Sequence, residues 1–310
     1  MVMTKTVGDI MDRLTVSKRE INEHTKELED KESFKIITTT DLRDELHEYY
    51  DTDGANKGMS LGWVKTDDFK IRNHEVTIVT GTNGSGKTMW LSQVCLNLLS
   101  HGTKCLIASL EMHPILTCTR MITQKLVSPE PTPQYVDDFL DEMEDKLYIY
   151  NQDGVTTTDD MYAMIEYASV LGCEIIVIDS LMKMSDIAED NYDKQKRFID
   201  RITVLAREYP IHIFVVAHTR KLTDFYAQPT KNDIHGSNHI ANLTDNIIAV
   251  WRNKHKEKAI EDEKLSEDQI RNIPDAKVFV QKQRNYIGEN GEPTYSFWYD
   301  KKGLRFKERP

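Results

Sequence analysis

The octapeptide GTNGSGKT, residues 81–88, decides the fold of this chain. It fills every fixed position of the phosphate-binding pattern G-x-x-x-x-G-K-[ST] with Gly81, Thr82, Asn83, Gly84, Ser85, Gly86, Lys87 and Thr88. The glycines let backbone N–H groups curl around phosphates, Lys87 can reach the outer phosphate oxygens, and the Thr88 hydroxyl can hold Mg²⁺. The octapeptide therefore predicts a site for ATP, or another NTP or dNTP, together with Mg²⁺.

The segments on either side of this loop have the expected character. Residues 75–80, EVTIVT, are typical of a buried strand, and residues 89–99, MWLSQVCLNLL, are typical of a helix. Phosphates in the loop would then lie at the helix N-terminus, where backbone N–H groups and the helix dipole favour anions. A chance match to the octapeptide is the alternative, and the strand–loop–helix context argues against it.

The composition indicates a globular protein with one sizeable domain and an appendage. Of the 310 residues, 39% are hydrophobic, and no apolar stretch approaches the ~20 residues that span a bilayer. The N-terminus also lacks the apolar segment of a signal peptide. We therefore expect a soluble intracellular protein without a membrane partner, in the cytoplasm or, for a phage protein, in the host cytoplasm.

Charge and cysteine content restrict the chemistry further. The net charge of −11 argues against a surface that coats nucleic acid throughout, although a local basic channel stays possible. The four cysteines form no C-x-x-C pair and have no histidine at metal-ligand spacing, so they predict no zinc site. Cys95, Cys105 and Cys173 lie in apolar patterns and are expected to be reduced core residues.

The chain is predicted to consist of an N-terminal helical tail and linker helix, residues 1–57, and a main domain, residues 58–310. Within the first part, Thr39, Thr40 and Asp41 are expected to cap a helix over residues 42–50 with an apolar face. The polar, glycine-containing stretch 51–58 is typical of a linker.

The main domain shows strands alternating with helices. Strands are predicted at 75–80, 104–110, 146–150, 174–179, 211–217 and 246–251, and helices at 87–100, 114–126, 158–171 and 193–208. This alternation predicts the α/β class, with a mainly parallel twisted sheet flanked by helices. Residues 277–281 and 294–299 are expected to form an antiparallel strand pair at the end of the chain.

Three of the predicted strands end in a side chain suited to catalysis. Asp179 ends a β-branched strand and could accept a hydrogen bond from Mg²⁺-bound water, or simply make a turn. Glu111 could orient and deprotonate the attacking water, or it could cap a helix or form an ion pair. His218 could hydrogen-bond the γ-phosphate and report its loss, or be a satisfied core histidine.

Several motifs in order resemble the RecA-like hexameric replicative helicases of the DnaB/Twinkle/phage helicase superfamily. The likeness covers about residues 36–306 and rests on the phosphate loop, SLEM (109–112), IDS (178–180), AHTR (217–220), GSNHI (236–240), TDN (244–246) and QKQRN (281–285). It implies that residues 58–310 are a RecA-like ATPase and helicase domain, and that the linker helix docks on an adjacent subunit.

The resemblance also implies a catalytic residue that acts between subunits. Arg284 corresponds to the family's arginine finger, with Lys282 beside it, and would reach the γ-phosphate in the neighbouring subunit. On the sequence alone, Arg284 could equally be an exposed charged residue near a hairpin turn. A finger that acts in trans requires a homo-oligomer, and in this family the oligomer is a hexamer.

DNA contact in this family comes from loops that face a central channel. The resemblance places single-stranded DNA against the loops 183–194 and 220–240, and a plain solvated loop is the alternative. Seven residues of the second loop are candidate phosphate-contacting residues: Arg220, Lys221, Lys231, Asn232, His235, Gly236 and Ser237.

Two departures from the family limit what the resemblance implies. Only about 35 residues precede the linker, where the family often carries a primase or helical domain, so priming or docking through such a domain is not carried over. A primase, polymerase or loader is left open as a partner. The acidic net charge means that DNA binding must rest on the loops, and two other functions stay open, of which the charge favours the second. These are a RecA/RadA-like recombination ATPase and a regulatory ATPase that switches protein partners without unwinding DNA.

Overall fold

The computed structural model describes residues 38–51, 58–152, 154–187, 191–220, 226–234, 238–285 and 292–309. The chain divides into two units, Met1–Gly54 and Ala55–Pro310. In the first unit, helix α1 spans Arg43–Asp51, one residue later than expected. The Asp41 carboxylate accepts hydrogen bonds from the backbone N–H and the hydroxyl of Thr38, at 2.7 and 2.9 Å. Asp41 therefore closes the turn that precedes the helix.

A nine-stranded sheet lies at the centre of the second unit. Its strands are β3 (Val76–Gly81), β4 (Cys105–Ser109), β5 (Leu147–Ile149), β6 (Ile175–Asp179), β7 (His212–His218), β8 (Asn246–Arg252), β9 (Ala276–Gln283), β10 (Thr294–Asp300) and β11 (Arg305–Lys307). Their order is β11-β10-β9-β8-β3-β7-β6-β4-β5. Strands β3 to β8 pair in parallel, and β9 to β11 extend the sheet antiparallel. A separate short pair consists of β1 (Met59–Ser60) and β2 (Lys70–Ile71).

The helices of this unit connect and cover the strands. They are α2 (Lys87–Ser100), α3 (Pro114–Leu126), α4 (Pro133–Met143), α5 (Thr158–Val170), α6 (Tyr192–Glu208), α7 (Asn238–Leu243), α8 (Lys254–Glu261) and α9 (Glu267–Asn272). The mainly parallel sheet flanked by helices confirms the expected fold class, and the antiparallel pair β9–β10 is confirmed as well.

Both faces of the sheet are buried, which explains why its strands are nearly continuous apolar runs. Val79 belongs to the core on the face covered by α2, and its neighbour Ile78 belongs to the core on the opposite face. On the α2 side, Trp63 stacks on Trp90 with ring centroids 6.2 Å apart. Cys95, Cys105 and Cys173 are buried and unpaired, as expected.

His212 is a fully buried polar side chain at the start of β7. Its Nδ1 lies 2.6 Å from the carbonyl oxygen of Arg72, and its Nε2 lies 2.9 Å from the Thr77 hydroxyl. A carbonyl can only accept, so Nδ1 carries the proton and Nε2 accepts from Thr77. Burial lowers the pKa of His212 from 6.5 to about 4, because the charged imidazolium would lose its hydration.

This lowered pKa predicts a pH-dependent stability. The unfolded chain protonates His212 below its ordinary pKa of 6.5, whereas the folded chain resists protonation down to about 4. The contribution of neutral His212 to the unfolding free energy is therefore fully present above pH 6.5 and is lost as the pH falls towards 4. Between pH 7 and pH 5, the unmodified protein should lose about 2 kcal/mol more of its unfolding free energy than His212→Asn. Urea denaturation of both proteins at the two pH values tests this, and equal losses would contradict it.

Candidate nucleotide site

The parallel strands bring the sequence-predicted catalytic residues to one edge of the sheet. Gly81, at the end of β3, pairs with His218 at the end of β7. Asp179, at the end of β6, pairs with Ser109 at the end of β4. Glu111 follows β4 by two residues. The carboxyl ends of parallel strands are the usual ligand-binding edge of such a sheet.

The loop backbone requires glycine at two of its positions. Gly81 has φ +150°, and a Cβ there would lie 2.3 Å from the carbonyl oxygen of Val250 and 2.6 Å from Ser85 Oγ. Gly86 has φ +96°, and a Cβ there would lie 3.1 Å from the Phe306 ring. Side chains at these positions would clash or strain the backbone, so the loop keeps its closely wound shape only with glycine.

Lys87 is held inside the loop. Its ammonium group donates to the carbonyl oxygens of Gly81 and Thr82, at 2.9 and 3.2 Å. Burial lowers the pKa of Lys87, while the Asp179 and Glu111 carboxylates act in the opposite direction. The cation is therefore positioned by the loop backbone next to two negative charges.

The loop fits a polyphosphate. Helix α2 begins directly after Gly86, which provides no side-chain cap for the helix N-terminus. The buried Ser85 hydroxyl has no hydrogen-bond partner among the described residues. A free hydroxyl, an uncapped helix N-terminus and a positioned Lys87 together form a cradle that phosphate oxygens would complete.

Thr88 and Asp179 provide oxygen atoms suited to Mg²⁺. The Thr88 hydroxyl donates to Asp179 Oδ2 at 2.5 Å. The pKa of Asp179 is raised, chiefly because its carboxylate is buried. The Thr88 hydrogen bond and the Lys87 charge act in the opposite direction and offset only part of this rise. No group of three or more metal-ligating His, Cys, Asp or Glu side chains occurs in the part of the chain that the structure describes. Mg²⁺ commonly takes most of its oxygen ligands from phosphates and water, and Thr88 and Asp179 would provide the protein's share.

Glu111 is held by two neighbours at the strand ends. Ser180 Oγ donates to Glu111 Oε1 at 3.0 Å, and His218 Nε2 lies 3.4 Å from the same oxygen. Partial burial favours the neutral acid, but these two hydrogen bonds and the nearby charges of His218 and Lys183 outweigh it and lower the pKa of Glu111. The carboxylate is thus kept ionised and oriented, as a general base requires. His218 Nδ1 is buried and has no partner within the described residues.

A cleft of about 1510 Å³ extends from the phosphate loop. Its lining includes six cationic side chains in addition to Lys87: Arg120, Lys183, Arg220, Arg252, Lys254 and Lys301. Five carboxylates line it as well: Glu111, Asp179, Glu257, Glu261 and Asp275. Beyond the loop, Tyr299, Leu304 and Phe306 add apolar surface. Seven cationic side chains against five carboxylates leave the cleft with an excess of positive charge, and it has room for a ribose and a base. Sequence reasoning missed Arg120 and Arg252, because an arginine inside a helix or at a strand end has no distinguishing local signal.

Arg284 and Lys282 lie at the opposite edge of the sheet. Strand β9 runs antiparallel to β8, and its last residue, Gln283, pairs with Asn246, which in turn lies level with Thr77 near the start of β3. Four residues of β3, roughly 13 Å at about 3.3 Å per residue, separate that level from Gly81, and Arg284 lies one residue further away. Arg284 therefore lies far from the phosphate loop of its own chain.

Both cations make contacts within their own chain. Lys282 donates to the carbonyl oxygens of three residues at the end of α7, at distances of 2.5–3.1 Å: Ala241, Asn242 and Thr244. Burial lowers the pKa of Lys282, and the Arg284 charge lowers it further. Arg284 pairs with Asp245, and its Nη1 lies 3.2 Å from Asp245 Oδ1. Lys282 thus holds the end of α7, and its catalytic role stays a prediction.

The candidate DNA-contacting residues are described only in part. Arg220 donates to the carbonyl oxygen of Asn232 at 2.6 Å, and its backbone N–H donates to the carbonyl oxygen of Asp233 at 2.7 Å. Lys231 lies 3.2 Å from Glu292 Oε1. Arg220 is therefore held against Asn232 and Asp233, and Lys231 pairs with Glu292. Lys221, His235, Gly236 and Ser237 lie outside the described residues.

A family model described as an AAA domain matches residues 67–224, just over half of the chain. The chain belongs to the AAA-domain family. It is 27% identical over 243 residues to the Twinkle homolog protein, chloroplastic/mitochondrial, of Arabidopsis thaliana. That match covers 71% of this chain and 34% of the Arabidopsis protein, so the chain spans about a third of that relative's length.

Two solved structures share the fold at low sequence identity. One, described as an ATPase domain, superposes with a TM-score of 0.66 at 16% identity, covering 86% of this chain and 97% of that one. The other, a DnaB-like replicative helicase described with its interactions with primase, gives a TM-score of 0.72 at 16% identity, covering 96% and 73%. The expected RecA-like fold is thereby confirmed, and this AAA-domain protein is a P-loop ATPase domain built like that of a DnaB-like helicase.

No helix among the described residues of this AAA-domain protein is long and apolar enough to cross a bilayer.

Proposed function

We propose that this domain hydrolyses ATP with Mg²⁺ and drives a homo-oligomeric ring, a hexamer, along single-stranded DNA to separate a duplex. The observation that carries the proposal is the separation of two half-sites on one sheet. Lys87, Asp179 and Glu111 lie at one edge, and Arg284 lies at the other. Since one chain cannot bring the two edges together, a complete site would need two subunits. The similarity to the Arabidopsis Twinkle homolog and to a DnaB-like helicase supports the same interpretation.

Each residue at the loop edge has a distinct task in this proposal. Lys87 would bind the outer phosphate oxygens, and Thr88 and Asp179 would hold Mg²⁺ through their oxygen atoms. Bound Mg²⁺ would neutralise charge that develops on the phosphates. Glu111 accepts a proton from the attacking water, and its carboxylate is already oriented by Ser180 and His218.

His218 connects the site to the candidate DNA-contacting loop. It contacts Glu111 on one side and ends strand β7 on the other, two residues before Arg220. A change in the phosphates beside Glu111 would therefore reach the loop 220–240 through a short stretch of backbone. Arg220, Lys221, Lys231, Asn232, His235, Gly236 and Ser237 would contact the DNA backbone without reading its sequence. Contacts with a primase, polymerase or loader stay predictions.

Unwinding of a forked DNA duplex in the presence of ATP tests the proposal. We expect strand separation by the unmodified protein, none by Lys87→Ala, and ATP hydrolysis that single-stranded DNA stimulates. Particle images of the nucleotide-bound protein should show closed rings. If single-stranded DNA does not change the rate of hydrolysis and no duplex is separated, the helicase proposal fails.

A regulatory ATPase that switches protein partners is the second candidate. The net charge of −11 favours it, because a DNA motor is usually less acidic. Hydrolysis unaffected by DNA in the same assay would support this candidate. A RecA/RadA-like recombination ATPase would instead form filaments on DNA, which particle images distinguish from rings.

Asp179→Asn should raise the Mg²⁺ concentration that hydrolysis requires. The amide keeps an oxygen for the Thr88 hydroxyl but loses the negative charge that favours the cation, so Mg²⁺ binding becomes weaker. We expect the Mg²⁺ concentration for half-maximal hydrolysis to rise roughly 10- to 100-fold. Titration of Mg²⁺ at saturating ATP measures this shift, and an unchanged midpoint would remove Asp179 from the cation site.

A further inference from the structure

We propose that Glu75, Asp245 and Asn285 are positioning residues that fix Arg284 to the strand leading into the phosphate loop of the same chain. The inference rests on the proposed function, in which Arg284 serves the site of the neighbouring subunit. All three lie at the amino end of β3, away from the phosphate loop of their own chain. They act by holding Arg284 in place.

Asp245 makes the first connection. It is almost completely buried and uses both of its carboxylate oxygens. Its Oδ1 lies 3.2 Å from Arg284 Nη1, and its Oδ2 accepts a hydrogen bond from the backbone N–H of Val76 at 3.0 Å. The backbone N–H of Arg284 also donates to the Asp245 carbonyl oxygen at 3.0 Å. Asp245 therefore ties both the side chain and the backbone of Arg284 to the first residue of β3.

Glu75 makes the second connection, one residue before β3. It is 3% exposed, and its Oε1 accepts from Asn285 Nδ2 at 2.7 Å. Its Oε2 accepts from Asn246 Nδ2 at 2.8 Å. A carboxylate withdrawn from water needs such donors, so the two amides stabilise Glu75 where it lies. Asn285 follows Arg284 directly, and the contact therefore fixes the backbone on the far side of Arg284.

The end of α7 supplies the third support. Arg284 Nη2 donates to the carbonyl oxygens of Asn242 and Leu243, at 3.1 and 3.4 Å. Lys282 contacts carbonyl oxygens of the same helix end. The side chain of Arg284 is nevertheless 40% exposed, so it can reach a second subunit.

These contacts join two sites through a single strand. β3 carries the phosphate loop at its carboxyl end, and the supports of Arg284 lie at its amino end. The position that Arg284 takes in the neighbouring site therefore depends on β3 of its own subunit. Misplacing a catalytic group by about 1 Å costs on the order of 100-fold in rate, so these supports should matter for catalysis.

Mixed oligomers of two inactive variants test the inference. Lys87→Ala subunits have a defective loop but an intact Arg284, whereas Arg284→Ala subunits have an intact loop but no finger. Mixing them should restore ATP hydrolysis at interfaces where the loop of an Arg284→Ala subunit meets the Arg284 side chain of a Lys87→Ala subunit. With the double variant Lys87→Ala/Asn285→Ala in place of Lys87→Ala, the restored kcat should fall by roughly 10- to 100-fold. The KM for ATP should not change, because the functional loop belongs to the subunit in which Asn285 is intact.

The outcomes separate the inference from the proposed function. If the first mixture shows no hydrolysis, Arg284 does not act in trans and the proposed function fails. If both mixtures hydrolyse ATP equally well, the positioning role of Asn285 is overturned. Native mass spectrometry of each mixture, with Lys87→Ala/Gln134→Ala as the matched surface control, verifies that the variants assemble to the same extent.

A swapped pair of side chains keeps the test decisive if Asn285→Ala does not fold. In the Lys87→Ala background, Glu75→Gln alone and Asn285→Asp alone should both reduce the restored rate. Their combination should recover it, because the amide introduced at position 75 can donate to the carboxylate introduced at position 285 and still accept from Asn246. Rates that do not recover in a correctly assembled double variant would overturn the inference.

Discussion

Arg284→Ala is expected to lower kcat for ATP hydrolysis by roughly 10³- to 10⁵-fold while ATP binding is largely retained. An arginine supplied from a neighbouring subunit stabilises charge on the transferring phosphoryl group, and its removal has an effect of this size in related NTPases. The loop that binds the ground state lies at the other edge of the sheet and is not altered. The loss should therefore appear in kcat, with little change in KM.

Steady-state hydrolysis together with binding of a fluorescent ATP analogue measures the two effects. Arg284→Lys keeps the charge but lacks the planar fork of the guanidinium, so it should recover little of the rate. The exposed Arg207→Ala, at the end of α6, serves as the control for the loss of a surface arginine. Full hydrolysis by Arg284→Ala would remove this residue from the site.

The loop edge of this site can be predicted from the sequence because its signals are local. Each β-branched run marks a strand, and parallel strands place their carboxyl ends together. Asp179, Glu111 and His218 could therefore be assigned to one edge before the strand order was known. Their contacts with Ser180 and Thr88 agree with that assignment.

The opposite edge could not be predicted in this way. The contact between Val76 and Asp245 exists only because β8 inserts beside β3, and a strand order of β8-β3-β7-β6-β4 cannot be read from local patterns. Glu75 and Asn285 are likewise joined by the fold across 210 positions of sequence. The resemblance to the helicase family suggested a role for Arg284, but the residues that hold it were visible only in three dimensions.

Helix α8 contains a buried charge that the sequence does not reveal, and it lies with α9 in one charged stretch. The charged stretch between β8 and β9 forms these two helices, which Asn253 and Ser266 cap. The buried Lys256 gives no signal in the sequence, because a lysine in a charged stretch is usually solvated. Its burial depends on Asp275, whose Oδ1 lies 2.6 Å from its ammonium group.

Glu111→Gln should reduce kcat by roughly 10²- to 10⁴-fold, the usual contribution of a positioned general base. The amide has nearly the same shape and can still accept from Ser180 Oγ, so the strand ends should stay in place. It cannot take a proton from water at neutral pH. Hydrolysis and ATP binding measured side by side should show slow chemistry at a site that still binds nucleotide.

The role of Ser180 gives this prediction a pH dependence. Ser180 and His218 hold the pKa of Glu111 below its ordinary value of 4.5. Ser180→Ala removes one donor to the carboxylate, so the pKa of Glu111 should rise and the base should be neutralised at a higher pH. The acidic limb of the kcat–pH profile should therefore move to higher pH in Ser180→Ala, while the rate near neutral pH changes less. Coincident acidic limbs in the two proteins would mean that a group other than Glu111 controls hydrolysis at low pH.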